Sequence, residues 1–220
     1  MGWRMNDPGF TILLGGPLLK TDRLVAAVAG SRVIAADGGI RHAAMLGVVP
    51  ELWVGDFDSS SADLAAQFPN VPRMPYPAQK AVTDGAIAID EAMGRGATRL
   101  LLAGALGGER SDHALMHLLQ ALQLAKEGLD IALTSGEEEA YPLLPGQRRF
   151  ALPAGSMFSI LGFSGLTGLT ITDARYPLED RTVPFGSSLT ISNVAEGSID
   201  ITLVSGEAML LARPYDLTGA

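Results

Sequence analysis

Short apolar runs alternate with helical patterns through the first part of the chain. The apolar runs predict buried strands. They lie at Thr11–Leu14, Arg32–Ala36, Leu52–Val54, Arg99–Ala103 and Asp130–Leu133. The segments between these runs predict helices, and the last of them carries leucines at helical spacing. These segments are Asp22–Ala29, Ile40–Leu46, Ala62–Gln67, Gly85–Met93 and Asp112–Lys126. Strands that alternate with helices predict a parallel sheet with helices on both faces, the α/β class.

The pattern changes after Leu133, where helical spacing disappears and glycine, serine and threonine become more frequent. Apolar residues now alternate with polar ones, which is typical of half-buried antiparallel strands. The alternating positions are Leu169 and Ile171, then Leu189 and Ile191, then Ile199, Ile201 and Leu203. The sequence therefore predicts an α/β domain over residues 1–140 and a second, all-β domain over residues 141–220.

Composition narrows the class of protein. The 220-residue chain contains no cysteine, which excludes a disulfide scaffold, a thiol nucleophile and cysteine-ligated zinc. Its formal charge of −8 argues against a nucleic-acid partner, because nucleic-acid recognition needs a basic face. No apolar segment approaches the length of a membrane span or a signal peptide, so we expect a cytoplasmic protein without membrane contact.

Polar clusters follow the predicted strands at the points where those strands end. The clusters are Gly15–Pro17, Asp37–Gly39, Gly55–Ser59 and Gly104–Gly108, and Thr83-Asp84 opens a helix. Arg110, Asp112 and His113 lie at the start of the longest predicted helix. Parallel sheets bind ligands beyond the carboxyl ends of their strands, so this placement predicts a functional edge. Glycines and helix N-termini at such an edge favour phosphate groups.

Asp56 and Asp58 are the first candidates for chemistry at this edge. In an extended chain, residues two apart point the same way, so these carboxylates would converge. Two adjacent carboxylates repel unless a cation lies between them, and Mg²⁺ combines one or two carboxylates with substrate phosphates. The alternative is that Asp58 or Ser59 is a turn or helix-capping residue.

Other motifs restrict how phosphate would be bound. The chain has neither a Walker A loop nor a Gly-x-Gly-x-x-Gly dinucleotide fingerprint. Lys80 and Arg110 are therefore the candidate phosphate-binding cations, the alternative being that they are solvated surface charges. His113 and His117 have the spacing of a zinc pair but lack an obvious third ligand, which favours structural roles. Ser59 has no Gly-x-Ser-x-Gly context, which disfavours a hydrolase triad.

Taken in order, the motifs resemble those of the thiamine pyrophosphokinase family over nearly the whole chain. The matching blocks are Asp37–Gly39, Gly47–Glu51, Gly55–Ser59, Thr83-Asp84, Gly104–His113, Tyr176–Asp180, Pro184–Ser188 and Ile191–Asn193. Three departures are visible. Tyr176 is the nearest match to the second-domain position where members can carry a tryptophan that stacks on a substrate ring. Ala81 follows Lys80 where members often carry an acid, and the segment around Arg110 is one residue longer than the family pattern.

The resemblance implies an enzyme that transfers diphosphate from ATP to the hydroxyl of thiamine, giving thiamine diphosphate and AMP with Mg²⁺. It implies a nucleotide-binding α/β domain, a small antiparallel β-sandwich, and a homodimer that binds thiamine between its subunits. By motif, the catalytic residues are Asp37, Asp56, Asp58 and Asp84, and the metal ligands are Asp56, Asp58 and Asp84. The nucleotide-binding residues are Gly38, Gly39, Lys80, Thr83, Gly107, Gly108, Arg110, Asp112 and His113. The thiamine-binding residues are Tyr176, Ser192 and Asn193.

Two alternatives stay open at this point. The same site could transfer diphosphate to another small alcohol, because the acceptor would be selected by the second domain. The chain could also be a regulator that binds nucleotide or thiamine without turnover, which Ala81 would be consistent with.

Overall fold

The structure is a computed structural model that describes residues 9–57, 62–76 and 82–219. The helices are α1 (Asp22–Val28), α2 (Arg41–Leu46), α3 (Ala62–Gln67), α4 (Asp84–Gly94) and α5 (Ser111–Lys126), and a 3-10 helix covers Asp37–Ile40. The first strands are β1 (Phe10–Leu13), β2 (Arg32–Ala36), β3 (Leu52–Gly55), β4 (Arg73–Pro75), β5 (Arg99–Ala103) and β6 (Asp130–Thr134). The later strands are β7 (Glu139–Leu143), β8 (Gly146–Phe150), β9 (Met157–Gly162), β10 (Leu166–Ala174), β11 (Leu178–Val183), β12 (Asn193–Leu203) and β13 (Ala208–Arg213).

The described chain divides into two compact units. The first contains residues 9–114 together with Leu133–Gly136. The second contains Leu115–Ala132 and residues 137–219. The predicted domain boundary at residue 140 stays a prediction.

The first unit contains a parallel sheet in the strand order β5-β1-β2-β3-β4. Thr11 pairs with Val33 and Ala36 pairs with Val54. The strands β1 and β3 are buried along their whole length, which agrees with their mainly apolar sequences. Helix α4 packs against β1, β2 and β3. The predicted alternation of strands and helices is confirmed here.

The sequence pattern missed β4, which pairs in parallel with β3. This strand covers only Arg73–Pro75, and both of those terminal residues are exposed. A three-residue edge strand without a buried face produces no apolar run that could be recognised in the sequence.

The second unit is antiparallel, and β12 takes part in two groups of strands. Its first residues, Asn193 and Val194, pair with β9, and β9 pairs with β13, which pairs with β7. Its later residues pair with β8 and β10, and β10 pairs with β11. Residues from both groups form one hydrophobic core that includes Phe158 and Ile201. This arrangement is consistent with the expected β-sandwich.

The predicted strand around Leu189 and Ile191 is wrong, because this segment forms turns. Leu189 and Ile191 are exposed, and the residue between them, Thr190, is buried instead. The Thr190 hydroxyl donates to the carbonyl oxygen of Ile160 at 2.6 Å, and the Ile160 amide donates to the Thr190 carbonyl at 2.9 Å. Burial therefore does alternate along this segment, but the polar residue Thr190 points inward and its apolar neighbours point outward.

Across the described ranges, no helix combines the length and apolar character needed to cross a membrane.

A charge network ties the amino ends of β2 and β3 to the end of α4. The Arg32 guanidinium binds the Glu51 carboxylate through two hydrogen bonds of 2.7 Å, and Arg95 Nη1 adds a third at 2.8 Å. The Arg32 hydrogen bond is the main reason that the pKa of Glu51 lies below its ordinary value of 4.5. A bidentate arginine–carboxylate pair is among the stronger ion pairs, although partial exposure weakens it.

We expect Glu51→Gln to lower the free energy of unfolding at pH 7 by about 1 kcal/mol. Because the folded-state pKa is lowered, this contribution is present above pH 4.5 and is lost as the pH falls through the folded-state pKa. Urea unfolding of both proteins at pH 7 and pH 3 tests this. Glu127→Gln, at an exposed glutamate directly after α5, is the control and should leave stability unchanged. An equal difference between Glu51→Gln and the unchanged protein at both pH values would contradict the expectation.

Candidate functional site

Asp37 and Asp56 lie directly after neighbouring parallel strands. Strand β2 ends at Ala36, strand β3 ends at Gly55, and Ala36 is paired with Val54. Both aspartates are therefore at the same edge of the sheet, and both are half-buried. Gly55 suits this close approach, because a Cβ atom there would make tight contacts of 3.2 Å with Asp37 Cα and 3.3 Å with Asp37 Cβ. The structure thus brings together two of the four predicted catalytic acids.

Asp37 has a left-handed backbone, with φ of 42°. This region is uncommon for residues other than glycine, although aspartate is among those that tolerate it. The Trp53 indole Nε1 donates a hydrogen bond of 2.9 Å to the Asp37 carbonyl oxygen. Trp53 is fully buried in β3, so its donor is held in a fixed position. The buried tryptophan therefore stabilises the turn that presents Asp37.

The backbone at Phe57 differs from the extended geometry that was expected between Asp56 and Asp58. Strand β3 stops at Gly55, and Phe57 has φ of 61°, so the chain is not extended between Asp56 and Asp58. With this backbone, the Phe57 ring meets Trp53 edge-on, with ring centroids 5.0 Å apart. The extended backbone assumed at Phe57 is therefore absent, and the convergence of the two carboxylates stays a prediction. Asp58 and Ser59 lie outside the described residues.

Glycines at the ends of β1 and β5 allow close backbone contact. The Gly16 amide donates to the Gly104 carbonyl oxygen at 3.2 Å, and any side chain on Gly16 would collide with that oxygen. Gly104 has φ of 80°, and a Cβ atom there would lie 2.6 Å from the Leu14 carbonyl oxygen. Gly39, in the 3-10 helix, packs in the same way on the carbonyl group of Leu13. The predicted glycine loops are thus parts of one close-packed edge.

Thr83 and Asp84 form the start of α4. The Thr83 hydroxyl caps the helix by accepting a hydrogen bond of 3.2 Å from the Ala86 amide. Asp84 is the first helical residue and is half-buried. The predicted nucleotide-binding residue Lys80 lies outside the described residues, as does Ala81.

The segment before α5 contains a tight turn and an ion pair. Gly107 and Gly108 have φ of 70° and 87°. The Arg110 guanidinium binds the Asp112 carboxylate in a fork, with Nε–Oδ1 and Nη2–Oδ2 distances of 2.9 and 2.8 Å. This pairing holds the pKa of Asp112 well below its usual range and raises the pKa of Arg110. His113 is exposed in the first turn of α5.

The donor set at the edge suits a hard cation, because its members are carboxylate oxygens. Within residues 9–57, 62–76 and 82–219, no group of three or more histidine, aspartate or glutamate side chains is placed to hold a metal ion. This is compatible with Mg²⁺, which uses one or two carboxylates and fills its remaining positions with water and phosphate. The zinc alternative for His113 and His117 lacks a third protein ligand in the same ranges.

Two of the three predicted thiamine-binding residues are in direct contact in the second unit. The Asn193 Oδ1 atom accepts from the Tyr176 amide at 3.1 Å, and Asn193 Nδ2 donates to the Tyr176 carbonyl at 2.8 Å. Asn193 is buried, whereas Tyr176 and Ser192 are exposed. Ser192 has φ of 60°, and its amide donates to Ser159 Oγ at 3.0 Å. Asn193 therefore positions the exposed Tyr176.

Sequence reasoning missed Arg41 and His42, at the start of α2. The Arg41 Nη2 atom donates to the carbonyl oxygens of Gly15 and Gly16, and His42 Nε2 donates to Gly16 at 3.0 Å. Burial is the main cause that lowers the pKa of His42. Their position directly after Asp37–Ile40 is the only signal in the sequence that could have indicated a role.

A parallel sheet with acids and glycine loops at its carboxyl edge is the arrangement of phosphate-binding α/β proteins. Comparison with known proteins identifies the family within this class. The thiamin pyrophosphokinase catalytic domain matches residues 27–133, and the vitamin B1 binding domain of thiamin pyrophosphokinase matches residues 147–209. The chain therefore belongs to the thiamin pyrophosphokinase family.

Individual relatives agree with this assignment. Thiamine pyrophosphokinase of Bacillus subtilis (strain 168) is 29% identical over 155 residues, which are 67% of this chain and 70% of that protein. The crystal structure of the Bacillus subtilis enzyme has a TM-score of 0.83 at 24% identity, covering 93% of this chain and 98% of that one. The thiamin pyrophosphokinase structure from Geobacillus thermodenitrificans has a TM-score of 0.79 at 28% identity, covering 93% and 96%.

We expect Trp53→Phe to lower the free energy of unfolding by about 1–3 kcal/mol, because the Asp37 carbonyl loses its buried donor. Phe57→Leu keeps that hydrogen bond and loses the edge-on ring contact together with the Arg73 guanidinium 5.9 Å from the ring centroid, so its cost should be smaller, about 0.5–1.5 kcal/mol. Urea unfolding followed by circular dichroism gives both values. A Trp53→Phe midpoint equal to that of the unchanged protein would show that the indole does not hold the turn.

Proposed function

We propose that this protein is a thiamine pyrophosphokinase, which transfers diphosphate from ATP to the hydroxyl of thiamine and releases AMP. The observation that carries the proposal is the placement of Asp37 and Asp56 after adjacent parallel strands, beside glycine loops, in a chain of this family. Residues 1–140 are proposed as the ATP-binding catalytic domain and residues 141–220 as the thiamine-binding domain. A cytoplasmic location is part of the same proposal.

The protein itself takes part in few of the covalent steps of this reaction. The thiamine hydroxyl oxygen attacks the β-phosphorus of ATP, and the bond from that phosphorus to the oxygen bridging the α-phosphate breaks. AMP leaves with that oxygen, and the hydroxyl proton passes to a carboxylate at the edge. Catalysis then depends mainly on positioning and on neutralising phosphate charge.

Asp56, Asp58 and Asp84 are the proposed ligands of Mg²⁺, with Asp37 beside them. Bound there, Mg²⁺ would neutralise the polyphosphate and orient it for in-line transfer. Gly38, Gly39 and Thr83 are proposed to contact the nucleotide at the same edge. The other proposed nucleotide contacts are Lys80, Gly107, Gly108, Arg110, Asp112 and His113.

The proposed thiamine contacts are Tyr176, Ser192 and Asn193. The internal hydrogen bonds of Asn193 support a positioning role, and the exposed side chain of Tyr176 is available to a ring of the substrate. Thiamine is a cation, so a chain with a formal charge of −8 favours its approach.

The direct test is AMP formation from Mg-ATP with and without thiamine. We expect AMP only when thiamine is present, and we expect Asp56→Asn to lower the rate by about 10²-fold or more, because a charge aimed at the metal-phosphate group is lost. Asp90→Asn, at an exposed position of α4, is the matched control and should keep full activity. Equal AMP formation without thiamine would refute the proposal.

The same assay separates the alternatives. AMP formation with other pyrimidine or thiazole alcohols, but not with thiamine, would indicate a diphosphotransferase for a different acceptor. Tight calorimetric binding of ATP or thiamine without turnover would indicate a regulator.

We further propose that the protein is a homodimer with thiamine bound between the subunits. The second unit exposes large apolar side chains in and near one connection, residues 184–192, which is typical of association surfaces. They are Tyr176, Phe185, Leu189 and Ile191, with Phe185 73% exposed.

We expect Phe185→Ser to shift the protein from dimer to monomer in light-scattering chromatography, because it removes apolar area from the association surface. The control is Val204→Ser, which changes a residue of the same unit that is 65% exposed but lies after β12. A monomeric unchanged protein at micromolar concentration would refute the dimer.

A further inference from the structure

The polyphosphate proposed as ligand needs cations at the sheet edge, and of the two predicted from the sequence only Arg110 lies among the described residues. The Arg110 guanidinium donates two side-chain hydrogen bonds to the Asp112 carboxylate. To bind phosphate with these donors, Arg110 would have to exchange a carboxylate partner for the ligand. Lys80 lies outside the described residues.

Arg41 supplies a positive charge at this edge. It is the first residue of α2 and follows the 3-10 helix that begins at Asp37. Its Nη2 atom donates to the carbonyl oxygen of Gly15 and, at 3.3 Å, to that of Gly16. Its Nη1 atom lies 3.6 Å from the position that a Cβ atom on Gly38 would occupy. The guanidinium thus lies between the Asp37–Gly39 segment and the loop after β1.

This placement has a chemical consequence for an anion. The carbonyl oxygens of Gly15 and Gly16 carry partial negative charge, and they would repel a phosphate group that approached the loop. Arg41 covers both oxygens through Nη2 alone, and a guanidinium has further N–H donors on its other atoms. The residue is also exposed, so these donors are accessible to a ligand.

His42 fixes the loop that Arg41 covers. It is buried, and its Nε2 atom donates to the Gly16 carbonyl oxygen at 3.0 Å. The Gly16 amide in turn donates to the Gly104 carbonyl at 3.2 Å. Gly16 is therefore held through both its amide and its carbonyl group by partners other than Arg41, so one of the two carbonyl oxygens that orient Arg41 is fixed before any ligand arrives. A cation oriented in advance loses less side-chain entropy when it binds.

We propose that Arg41 binds the polyphosphate of the nucleotide, with His42 as the positioning residue for the loop that orients it. The ligand class is a nucleoside polyphosphate with a divalent cation, and to this extent the inference rests on the proposed function.

The test is calorimetric titration of the magnesium complex of a non-hydrolysable ATP analogue. We expect Arg41→Gln to weaken binding by about 10- to 100-fold, which is the usual loss of affinity when a hydrogen-bonded charge is removed. Arg41→Lys should give an intermediate affinity, because the charge remains and the fork is lost. Arg149→Gln is the matched control: this arginine is also exposed and also bonded, to Asp200 in the second unit, and its loss should leave affinity unchanged.

A salt series separates phosphate contact from a purely structural role. The affinity of the unchanged protein should fall more steeply with ionic strength than that of Arg41→Gln, because one screened charge contact is missing in the variant. Equal salt dependence in the two proteins would overturn the proposal, as would an unchanged affinity in Arg41→Gln. If Arg41→Gln does not fold, the same comparison with Arg41→Lys decides: unchanged affinity overturns the proposal and weaker binding supports it.

The result also distinguishes this proposal from the proposed function. A protein that binds no nucleotide overturns the role of Arg41. A protein that binds nucleotide with the expected dependence on Arg41, but forms no AMP with thiamine, supports this inference and refutes the thiamine pyrophosphokinase activity alone.

Discussion

The hydrogen bond from the Trp53 indole to the Asp37 carbonyl oxygen joins the ends of β2 and β3, and the geometry of the acidic edge depends on it. Parallel pairing brings the two strands to the same edge, but it does not determine how the chain turns afterwards. The left-handed turn at Asp37 is stabilised by a buried donor, and Gly55, which has no side chain, lies close to it. With both present, Asp37 and Asp56 are presented side by side, where a metal-bound polyphosphate is proposed to bind.

In the second unit, too, buried polar side chains hold the backbone of neighbouring segments in place. The buried Asn193 amide binds the backbone of Tyr176 on both sides, and the Thr190 hydroxyl binds the backbone of β9. These internal polar contacts are satisfied, so the exposed side chains beside them are held on a rigid scaffold. An exposed Tyr176 and an exposed Ser192 are then available for recognition, while the residues that position them stay in the interior.

The elements that could be predicted from the sequence are those with a strong periodic pattern. The strands Arg32–Ala36 and Arg99–Ala103 and the helix Ala62–Gln67 have the predicted bounds, and the acids at the strand ends follow from parallel topology. The rest depends on contacts between residues distant in sequence. The left-handed backbone at Phe57 accompanies the packing of its ring on Trp53, and Leu189 and Ile191 are exposed while Thr190 between them bonds β9. Arg41 was missed because its partners, Gly15 and Gly16, lie at the end of another strand.

The central claim is that the carboxyl ends of β2 and β3 hold a divalent cation together with the phosphates of a nucleotide. Anomalous diffraction from crystals grown with Mn²⁺ and a non-hydrolysable ATP analogue tests it most directly. The account predicts a manganese peak beside the carboxylate of Asp56, bridged to the nucleotide phosphates, with Asp37 next to it. Manganese and nucleotide bound away from both aspartates, for example at His113 and His117, would contradict the account.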